Sequence, residues 1–421
     1  MNPTFTEVLA SSLFGLAVLH TFVCGRFQKL ASRFPEGSVA ENTFHLLGEV
    51  EVVFGLWAAI LLSLLAMTVD PASAIAYAES LNFTEPIFVF TIMTIAATKP
   101  VIEFARWMIF SLARLIPIAR ESAIFATCLI VGPLLGSFIT EPAAMTVTAL
   151  ILKQRFYDRG VSRQFMYGTL AVLFVNISIG GVLTPFAAPP VLMVAGKWGW
   201  DIPHMLRFFG WKAALAVLVN ASCLTFFLRR ELKSLTTSRE SLKLGSPIGL
   251  IAIHLAVLAL VVATAHHPII FVGIFLLFLG LATATKEYQS ELLFRQSLLV
   301  AFFLGGLVVL GGLQSWWLMP LLHGQTDLTL FLGATGLTAF TDNAALTFLG
   351  SQIEGISEGF KYALVSGAVA GGGLTVIANA PNPAGFSILQ ESFGESGISP
   401  FRLAAFAMAP TLVAMASLWF L

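Results

Sequence analysis

Long apolar stretches separated by short polar segments run through the whole chain. Many of these stretches reach about 20 residues, the length that an α-helix needs to cross the hydrocarbon core of a membrane. The pattern therefore predicts an all-α polytopic membrane protein with ten spanning helices. The predicted helices cover residues 7–24, 45–67, 85–105, 165–195, 205–228, 247–264, 268–285, 297–313, 361–390 and 401–420.

Two further apolar regions, residues 121–152 and 327–358, are each long enough to enter the membrane and return. Each carries an acidic residue near its middle, Glu141 in the first and Asp342 in the second. A carboxylate in that place is costly because the bilayer core offers no water to solvate it. Irregular backbone at that depth is tolerated only where it lines a cavity or packs against protein. We expect both regions to form re-entrant hairpins.

The placement of charge predicts the orientation of the chain. Most of the 23 Lys and Arg residues lie in six segments between or beside the predicted helices, whereas residues 68–85 hold none and carry three acidic residues. By the positive-inside rule the basic segments are cytoplasmic and residues 68–85 are external. The first hairpin then enters from the cytoplasm, the second enters from outside, and both termini face the periplasm. The alternative, an internal segment 68–85, requires an eleventh helix and an internal N-terminus.

The order of helices and hairpins repeats along the chain. Residues 1–230 give three helices, a hairpin and two helices, of which 165–195 is interrupted. Residues 246–421 give the same order, with 361–390 interrupted, but they start on the opposite side of the membrane. The basic segment 231–245 joins the two as a cytoplasmic linker. The predicted fold is an inverted repeat of about five helices plus one re-entrant hairpin per half, with broken helices at the midplane.

Composition supports this class. Hydrophobic residues make up 57% of the chain and charged residues only 11%, whereas charged residues make up about 25% of a soluble protein. The net charge is zero, so electrostatics give no reason to expect nucleic acid as a partner, and the lipid bilayer is the expected one. The three cysteines have neither disulfide nor metal-site spacing, and we expect no cofactor.

The two hairpins carry matching motifs. The first reads Thr-Glu-Pro-Ala-Ala-Met-Thr over residues 140–146, and the second reads Thr-Asp-Asn-Ala-Ala-Leu-Thr over residues 341–347. Two copies of an intramembrane acidic motif, one in each half, indicate a transporter built from repeats.

A second repeated pattern follows each hairpin. Residues 180–190 read Gly-Gly-Val-Leu-Thr-Pro-Phe-Ala-Ala-Pro-Pro, and residues 371–383 read Gly-Gly-Gly-Leu-Thr-Val-Ile-Ala-Asn-Ala-Pro-Asn-Pro. Glycines and prolines in mid-helix break the helix, and the freed carbonyls and helix ends can hold a cation. The alternative is close helix packing by small residues. The residues expected to form the breaks are Gly180, Gly181, Pro185, Pro189, Gly372, Gly373, Pro381 and Asn382.

These paired motifs resemble the signatures of the ion transporter superfamily, which includes sodium/proton antiporters of the NhaD type, arsenite permeases and divalent-anion/sodium symporters. In character the chain is most similar to a sodium/proton antiporter family within that superfamily. The resemblance implies a scaffold and a transport domain, with the substrate held between hairpin tips and broken helices. It also implies elevator-like alternating access and a homodimer.

The chain departs from the carboxylate symporters of that superfamily, which carry Ser-Asn-Thr at their hairpin tips. Acidic groups at both tips would repel a carboxylate but suit a cation and a proton. Sodium takes hard oxygen ligands, and a carboxylate that exchanges it for a proton needs the raised pKa that burial supplies. The alternative is that each acid is a protonated packing residue. We expect the ion nearest to Asp342, Asn343, Thr375 and Asn379, with Thr140, Glu141 and Thr184 completing the site from the other side. Thr341, at the second tip, is a further expected ion-binding residue.

The leading hypothesis is a secondary-active antiporter that exchanges sodium for protons in a bacterial inner membrane. An anion or oxyanion transporter of the same superfamily is the alternative. An intramembrane enzyme is disfavoured because the chain has no H-E-x-x-H motif. His45 and Glu49 are four residues apart and would share a helix face, which suggests a proton relay from the cytoplasm. The alternative for them is an interfacial pair.

Overall fold

The computed structural model describes residues 3–235 and 244–421, except the side chains of residues 395 and 396. The described residues form helices and turns, with no β-strand among them. Most of the predicted linker, residues 236–243, lies outside the described residues.

The α-helices are α1 (Phe5–Ala31), α2 (Val39–Leu47), α3 (Val50–Thr68), α4 (Pro71–Ser80), α5 (Thr84–Ala96), α6 (Lys99–Ala113), α7 (Arg120–Ile139), α8 (Glu141–Arg155), α9 (Arg163–Gly180), α10 (Pro189–Trp198), α11 (Ile202–Met205), α12 (Trp211–Phe227), α13 (Arg229–Ser234), α14 (Ile248–Ala263), α15 (Pro268–Ala284), α16 (Phe294–Gly311), α17 (Ser315–Leu322), α18 (Asp327–Thr338), α19 (Asn343–Ser351), α20 (Glu358–Gly371), α21 (Asn382–Gln390) and α22 (Pro400–Phe420).

Several of these helices are long and apolar enough to cross a membrane. Within the described residues they number seven, or eight if α5 and α6, which are bent by 68° at their junction, count as one span. The apolar helices α14 and α15 are shorter, with 16 and 17 residues. The chain is therefore an all-α polytopic membrane protein. The count of ten spans, the inverted arrangement and the sidedness stay predictions.

Helices α7 and α8 are separated by Thr140 alone, and α18 and α19 are separated by residues 339–342. Two interrupted helices accompany these pairs. The chain leaves α9 at Gly180, makes a single 3-10 turn and resumes as α10. It leaves α20 at Gly371, makes a turn over Val376–Ala378 and resumes as α21. Proline near the start of α10 and of α21 suits a helix N-terminus, where its missing N–H is not needed.

The predicted helix 45–67 is wrong at its start. The first helix there, α2, ends at Leu47, and α3 begins at Val50 with Glu49 as its N-cap. The turn lies close against α1, because a Cβ added at Gly48 would be 2.6 Å from Gln28 Cγ. The side-chain amide of Gln28 also donates a hydrogen bond to the Gly48 carbonyl, at 3.0 Å. The predicted helix is therefore interrupted at Gly48, where the backbone contacts Gln28 of α1.

The predicted helix end at residue 105 is also wrong. Helix α6 starts at Lys99, directly before Pro100, and continues to Ala113 through much of the segment 106–120 that the sequence suggests as an interfacial arm. Proline at the second position of α6 is tolerated because no intrahelical hydrogen bond is lost there.

The contacts within the chain divide it into two compact units. The first consists of Met1–Phe90, Phe294–Gln325 and Phe348–Ile356. Its core includes α3 packed on α16, where a Cβ added at Gly306 would be 2.3 Å from the Gly55 nitrogen. Small residues of this kind let membrane helices approach closely.

The second unit consists of Thr91–Leu293, Thr326–Thr347 and Ser357–Leu421. In it, α9 packs on α7, α12 and α22, and α18 packs on α20. The buried Asn176 in α9 donates hydrogen bonds to the carbonyls of Leu129 in α7, at 2.9 Å, and Val217 in α12, at 3.2 Å. The side chain of Asn220 donates in turn to Asn176 Oδ1, at 3.0 Å. Such satisfied buried networks fix one arrangement of neighbouring helices.

Candidate functional site

Glu141 is the most deeply buried carboxylate of the predicted site. It is 0% exposed, at the start of α8 directly after the Thr140 tip. Its Oε2 atom accepts a hydrogen bond of 2.8 Å from Asn379 Nδ2, in the broken region between α20 and α21. Its Oε1 atom has no hydrogen-bond partner in the described part of the chain. Because burial of a charge without a partner is costly, this oxygen calls for a proton or a cation.

Gly181 makes room for that carboxylate. A Cβ added at Gly181 would lie 2.2 Å from Glu141 Oε1 and 2.8 Å from Glu141 Cδ. Real Cβ contacts of this length do not occur, so the Glu141 carboxylate can hold its present position only with glycine at residue 181. This explains the second glycine of the first Gly-Gly pair by a contact within the site.

The variant Gly181→Ala is expected to reduce transport at least ten-fold while the protein stays folded. The added methyl group displaces the Glu141 carboxylate, and overpacking of this kind costs about 1–3 kcal/mol. The measurement is the initial rate of cation-driven proton flux in proteoliposomes. Gly249→Ala is the matched control, because a Cβ there meets nothing within 4 Å. An unchanged rate in Gly181→Ala would contradict the proposed geometry.

Asn343, in the second hairpin, occupies a similar position. It is 0% exposed, and neither Nδ2 nor Oδ1 has a hydrogen-bond partner among the described residues. A Cβ added at Gly372 would lie 2.8 Å from Asn343 Nδ2 and 2.1 Å from Ser178 Oγ. Thus Gly181 approaches the first hairpin tip and Gly372 the second.

Asn382 holds the second broken helix open. Its Nδ2 donates hydrogen bonds to the carbonyls of Gly372, at 2.8 Å, and Thr375, at 2.9 Å. These are carbonyls that the helix break leaves without an α-helical partner. Asn382 Oδ1 is buried and has no hydrogen-bond partner within the structure described, and the same is true of Asn379 Oδ1.

Thr140 forms the tip of the first hairpin in a strained conformation. Its φ of 73° is the one positive value among the described non-glycine residues. A β-branched residue in this region is an outlier, and such strain costs about 1–3 kcal/mol and clusters at functional sites. The side chain is buried, and Thr140 Oγ1 has no hydrogen-bond partner among residues 3–235 and 244–421.

Asp342 has a different environment from Glu141. It is only half-buried, and its Oδ1 accepts hydrogen bonds from the backbone amides of Ala344, at 2.8 Å, and Ala345, at 3.3 Å. It therefore caps the N-terminus of α19, where a negative charge is favoured. Its charge also acts on Glu141. The two acids thus belong to one electrostatic site, with Asp342 at its more exposed part.

Two of the four predicted threonine ligands, Thr184 and Thr375, make structural hydrogen bonds. Thr184 Oγ1 donates to the Ser137 carbonyl at 2.6 Å, and Thr375 Oγ1 donates to the Ala339 carbonyl at 2.9 Å. Each bond joins a broken helix to its hairpin. Thr341, at the second tip, is half-buried and donates its backbone N–H to Leu337 O at 3.1 Å.

The sequence patterns do not identify Ser137 and Ser178 as residues of the site. Ser137 Oγ donates to the Gly180 carbonyl at 2.7 Å and accepts a hydrogen bond of 2.9 Å from the Leu183 amide. Ser178 Oγ donates to the Val369 carbonyl at 2.7 Å and so joins the two interrupted helices. The sequence feature that could have identified them is a serine within an otherwise apolar helix.

The remaining residues of the two breaks have packing roles. A Cβ added at Gly180 would be 2.8 Å from the backbone of Pro133, and one at Gly373 would be 2.4 Å from Val175 Cα. At these two glycines the alternative of close helix packing applies. Pro185 lies in the segment between the two parts of the first broken helix; Pro189 starts α10 and Pro381 precedes α21.

The predicted relay between His45 and Glu49 is wrong in its geometry. The two residues do not share a helix face, because α2 ends before Glu49. His45 Nε2 lies 3.6 Å from Glu41 Oε1, and Glu49 forms an ion pair with Arg295. His45 and Glu49 therefore each have a different partner, and the structure gives the relay no support.

One further sequence pattern bears on the enzyme alternative. Residues 355–359 read Gly-Ile-Ser-Glu-Gly, which matches the G-x-S-x-G pattern of serine hydrolases. That pattern requires a strand before the serine and a strained turn. Here Ser357 is the N-cap of α20, its hydroxyl accepts a hydrogen bond of 3.0 Å from the Phe360 amide, and no strand occurs among the described residues. The residues that match the pattern therefore form the N-terminus of α20 and not the turn of a serine hydrolase.

The candidate site therefore combines one fully buried carboxylate with buried oxygen atoms in the two hairpin tips and at the second helix break. Within the described chain no group of three or more His, Cys, Asp or Glu side chains is placed to hold a metal ion. Carboxylate, amide and hydroxyl oxygens are instead the ligands of hard cations. Among the predicted site residues and Asn382, the buried oxygens that have no hydrogen-bond partner in the described chain are Thr140 Oγ1, Glu141 Oε1, Asn343 Oδ1, Asn379 Oδ1 and Asn382 Oδ1.

A buried acid among uncharged oxygens, inside a multi-helix membrane protein, defines the class: a membrane transporter for small cations or protons. The chain belongs to the family described as "Putative Na+/H+ antiporter", which matches residues 5–421. The family is one of transporters and not of enzymes. The protein is accordingly a multi-pass cation/proton antiporter, as the resemblance of its motifs predicts.

Comparison with solved structures finds the crystal structure of the YdaH transporter of Alcanivorax borkumensis. The sequences are 14% identical and the TM-score is 0.45, over 88% of this chain and 96% of that one. No curated protein matches the chain.

Proposed function

We propose that this chain exchanges sodium for protons at Glu141, with the oxygens of Thr140, Asn343, Asn379 and Asn382 as further ligands. The observation that carries the proposal is the fully buried Glu141 carboxylate, whose Oε1 has no hydrogen-bond partner within the described residues. Further buried oxygens without such partners lie in the two hairpin tips and at the second helix break. Sodium is the cargo of this site and not a resident cofactor.

Exchange follows from the cost of burying charge. A deprotonated Glu141 with no cation would leave an uncompensated charge away from water, which is strongly disfavoured. Either a proton or a sodium ion neutralises it, and both together would give the site an excess positive charge. The site therefore changes sides in a neutral form, with one ion or the other. Asn379 Nδ2, which donates to Oε2, holds the carboxylate in place in both forms.

Asp342 serves this exchange without itself releasing a proton. Two backbone amides stabilise its charge at the start of α19. A fixed negative charge beside Glu141 favours entry of a cation and opposes an anion. For this reason we prefer sodium over the anion or oxyanion substrates of the alternative hypothesis.

We further propose elevator-like movement in a homodimer in the bacterial inner membrane, with both termini in the periplasm. Supporting the movement, the two hairpin tips and both broken helices belong to the second compact unit, which draws on both halves of the sequence. A unit that holds every ligand can carry the ion without dismantling its site.

Proton flux from proteoliposomes tests the proposal. With an imposed pH difference, sodium is expected to collapse the gradient, whereas arsenite or a dicarboxylate with a non-transported counter-cation is not. Flux driven by either anion and not by any alkali cation would overturn the assignment.

The variant Asn379→Ala is expected to raise the KM for sodium about ten-fold or more. It removes both an oxygen ligand and the hydrogen bond to Glu141, and a hydrogen bond to a charged group contributes about 1.5–3 kcal/mol. The measurement is the sodium dependence of the same proton flux. Asn82→Ala is the matched control, since Asn82 is exposed and its amide interacts with Glu85. A wild-type KM in Asn379→Ala would remove Asn379 from the site.

A further inference from the structure

A groove of about 470 Å³ opens on the surface of the second unit, between α9, α12 and α22. Its volume lies in the range of about 300–1,000 Å³ that is typical of ligand pockets. The walls are largely aliphatic and aromatic. All three helices belong to segments that are long and apolar enough to span a membrane. Residues that form it include Val172, Leu224, Phe227, Phe406, Ala409 and Val413.

One end of the groove coincides with the ends of these three helices. The backbone N–H and the hydroxyl of Ser162, the N-cap of α9, donate to the Glu231 carboxylate at 2.6 and 2.9 Å, which places α13 beside the start of α9. The backbone N–H of Ser399, the N-cap of α22, donates to Tyr167 Oη in α9 at 2.8 Å. The start of α9, the end of α12 and the start of α22 therefore lie together.

This end of the groove is basic. Four exposed arginines lie there, namely Arg163, Arg229, Arg230 and Arg402. Arg402 precedes the groove residue Phe406 by one helical turn, and Arg163 directly precedes Gln164, which also lines the groove. The guanidinium groups of Arg163 and Arg229 lie 5.5 and 3.9 Å from the ring centres of Phe393 and Phe226. These ring contacts orient the two guanidinium groups.

We propose that the groove binds one acyl chain of an anionic phospholipid whose phosphate is held by the arginines at its end. An apolar groove on membrane-spanning helices suits an acyl chain. A basic cluster at the helix ends suits an anionic headgroup, and guanidinium groups match phosphate oxygens in geometry. This lipid site goes beyond the proposed sodium/proton exchange and does not depend on it.

Cys223 gives a direct probe of occupancy. It lines the groove and is exposed, whereas Cys24 and Cys128 are buried. The purified full chain in a non-ionic detergent is titrated with phosphatidylglycerol, with phosphatidylcholine or with glycerol 3-phosphate, and the rate of maleimide labelling is measured. At a phosphatidylglycerol concentration of about ten times Kd, labelling is expected to slow about ten-fold, because the free fraction falls in that proportion. Neither phosphatidylcholine nor the headgroup alone is expected to protect at that concentration.

Two variants separate the headgroup from the acyl chain. The double variant Arg163→Gln and Arg402→Gln is expected to lose the protection, while Arg33→Gln, an exposed arginine of the first unit, keeps it. Ala409→Phe fills the groove, and phosphatidylglycerol is expected to produce no further slowing of its labelling. Thermal unfolding midpoints verify that each variant is folded. Equal protection by phosphatidylcholine, protection by glycerol 3-phosphate alone, or full protection of the double-arginine variant would each overturn the proposal.

Discussion

Replacing Glu141 by glutamine is expected to abolish sodium/proton exchange and leave the protein folded. Glutamine has nearly the same shape as glutamate, and its side-chain oxygen can still accept the hydrogen bond from Asn379 Nδ2 that Glu141 accepts at 2.8 Å. It cannot release a proton, however, and it brings no negative charge to balance a bound cation. Both half-reactions of the exchange are therefore lost together.

Two measurements check this result. Proton flux driven by sodium is expected to fall to the level of empty liposomes. The stabilisation by sodium, about 2.7 kcal/mol at 100 times Kd in the wild type, is expected to disappear from the thermal unfolding curve. Glu358→Gln is the matched control, because Glu358 is exposed and paired with Lys361 on the surface. Sodium-driven flux at the wild-type rate in Glu141→Gln would disprove the central role of Glu141.

The sequence predicts where the site lies, but it carries no measure of how deeply each of its acids is buried. An acid inside a long apolar stretch is costly anywhere, so its function can be inferred without coordinates. The sequence favours Asp342 as the main acid because more amide and hydroxyl residues stand near it. In the structure Glu141 is fully buried and Asp342 caps a helix. That difference arises from contacts such as that of Gly181 with Glu141, across 40 positions of the chain, which no local pattern encodes.

Some features of the fold can likewise be predicted from the sequence, and others cannot. Long apolar helices such as α9 and α22 follow from hydrophobicity over the length of a membrane, a signal spread over many residues. The short helices α4 and α17 lie in segments that the sequence analysis treats as connections. The break between α2 and α3 depends on the contact of Gly48 with Gln28 in α1. Tertiary contacts of this kind decide where helices end, and hydropathy carries no record of them.

The pair of Glu121 and Arg155 shows what hydropathy misses most completely. Glu121 is the first residue of the predicted first hairpin, and Arg155 follows the hairpin in a basic run that the charge pattern assigns to the cytoplasm. In the structure the side chains are 3% and 5% exposed and form a two-fold ion pair. Arg155 Nε lies 2.9 Å from Glu121 Oε2, and Arg155 Nη2 lies 2.7 Å from Glu121 Oε1. The pair joins the start of α7 to the end of α8 and so closes the base of the hairpin.

The single variants Glu121→Gln and Arg155→Met are each expected to lower the free energy of unfolding by about 3–5 kcal/mol, because each leaves a buried charge without its partner. The double variant Glu121→Leu with Arg155→Met is expected to recover most of that loss, since apolar side chains of similar size can replace a buried ion pair at little cost. Denaturant unfolding of the purified protein measures both effects. The control is the pair of Lys361 with Glu358, whose side chain is 72% exposed, since an ion pair with an exposed partner contributes about 0–1 kcal/mol. Single variants as stable as the wild type, or a double variant no better than the worse single one, would show that the pair does not hold the hairpin closed.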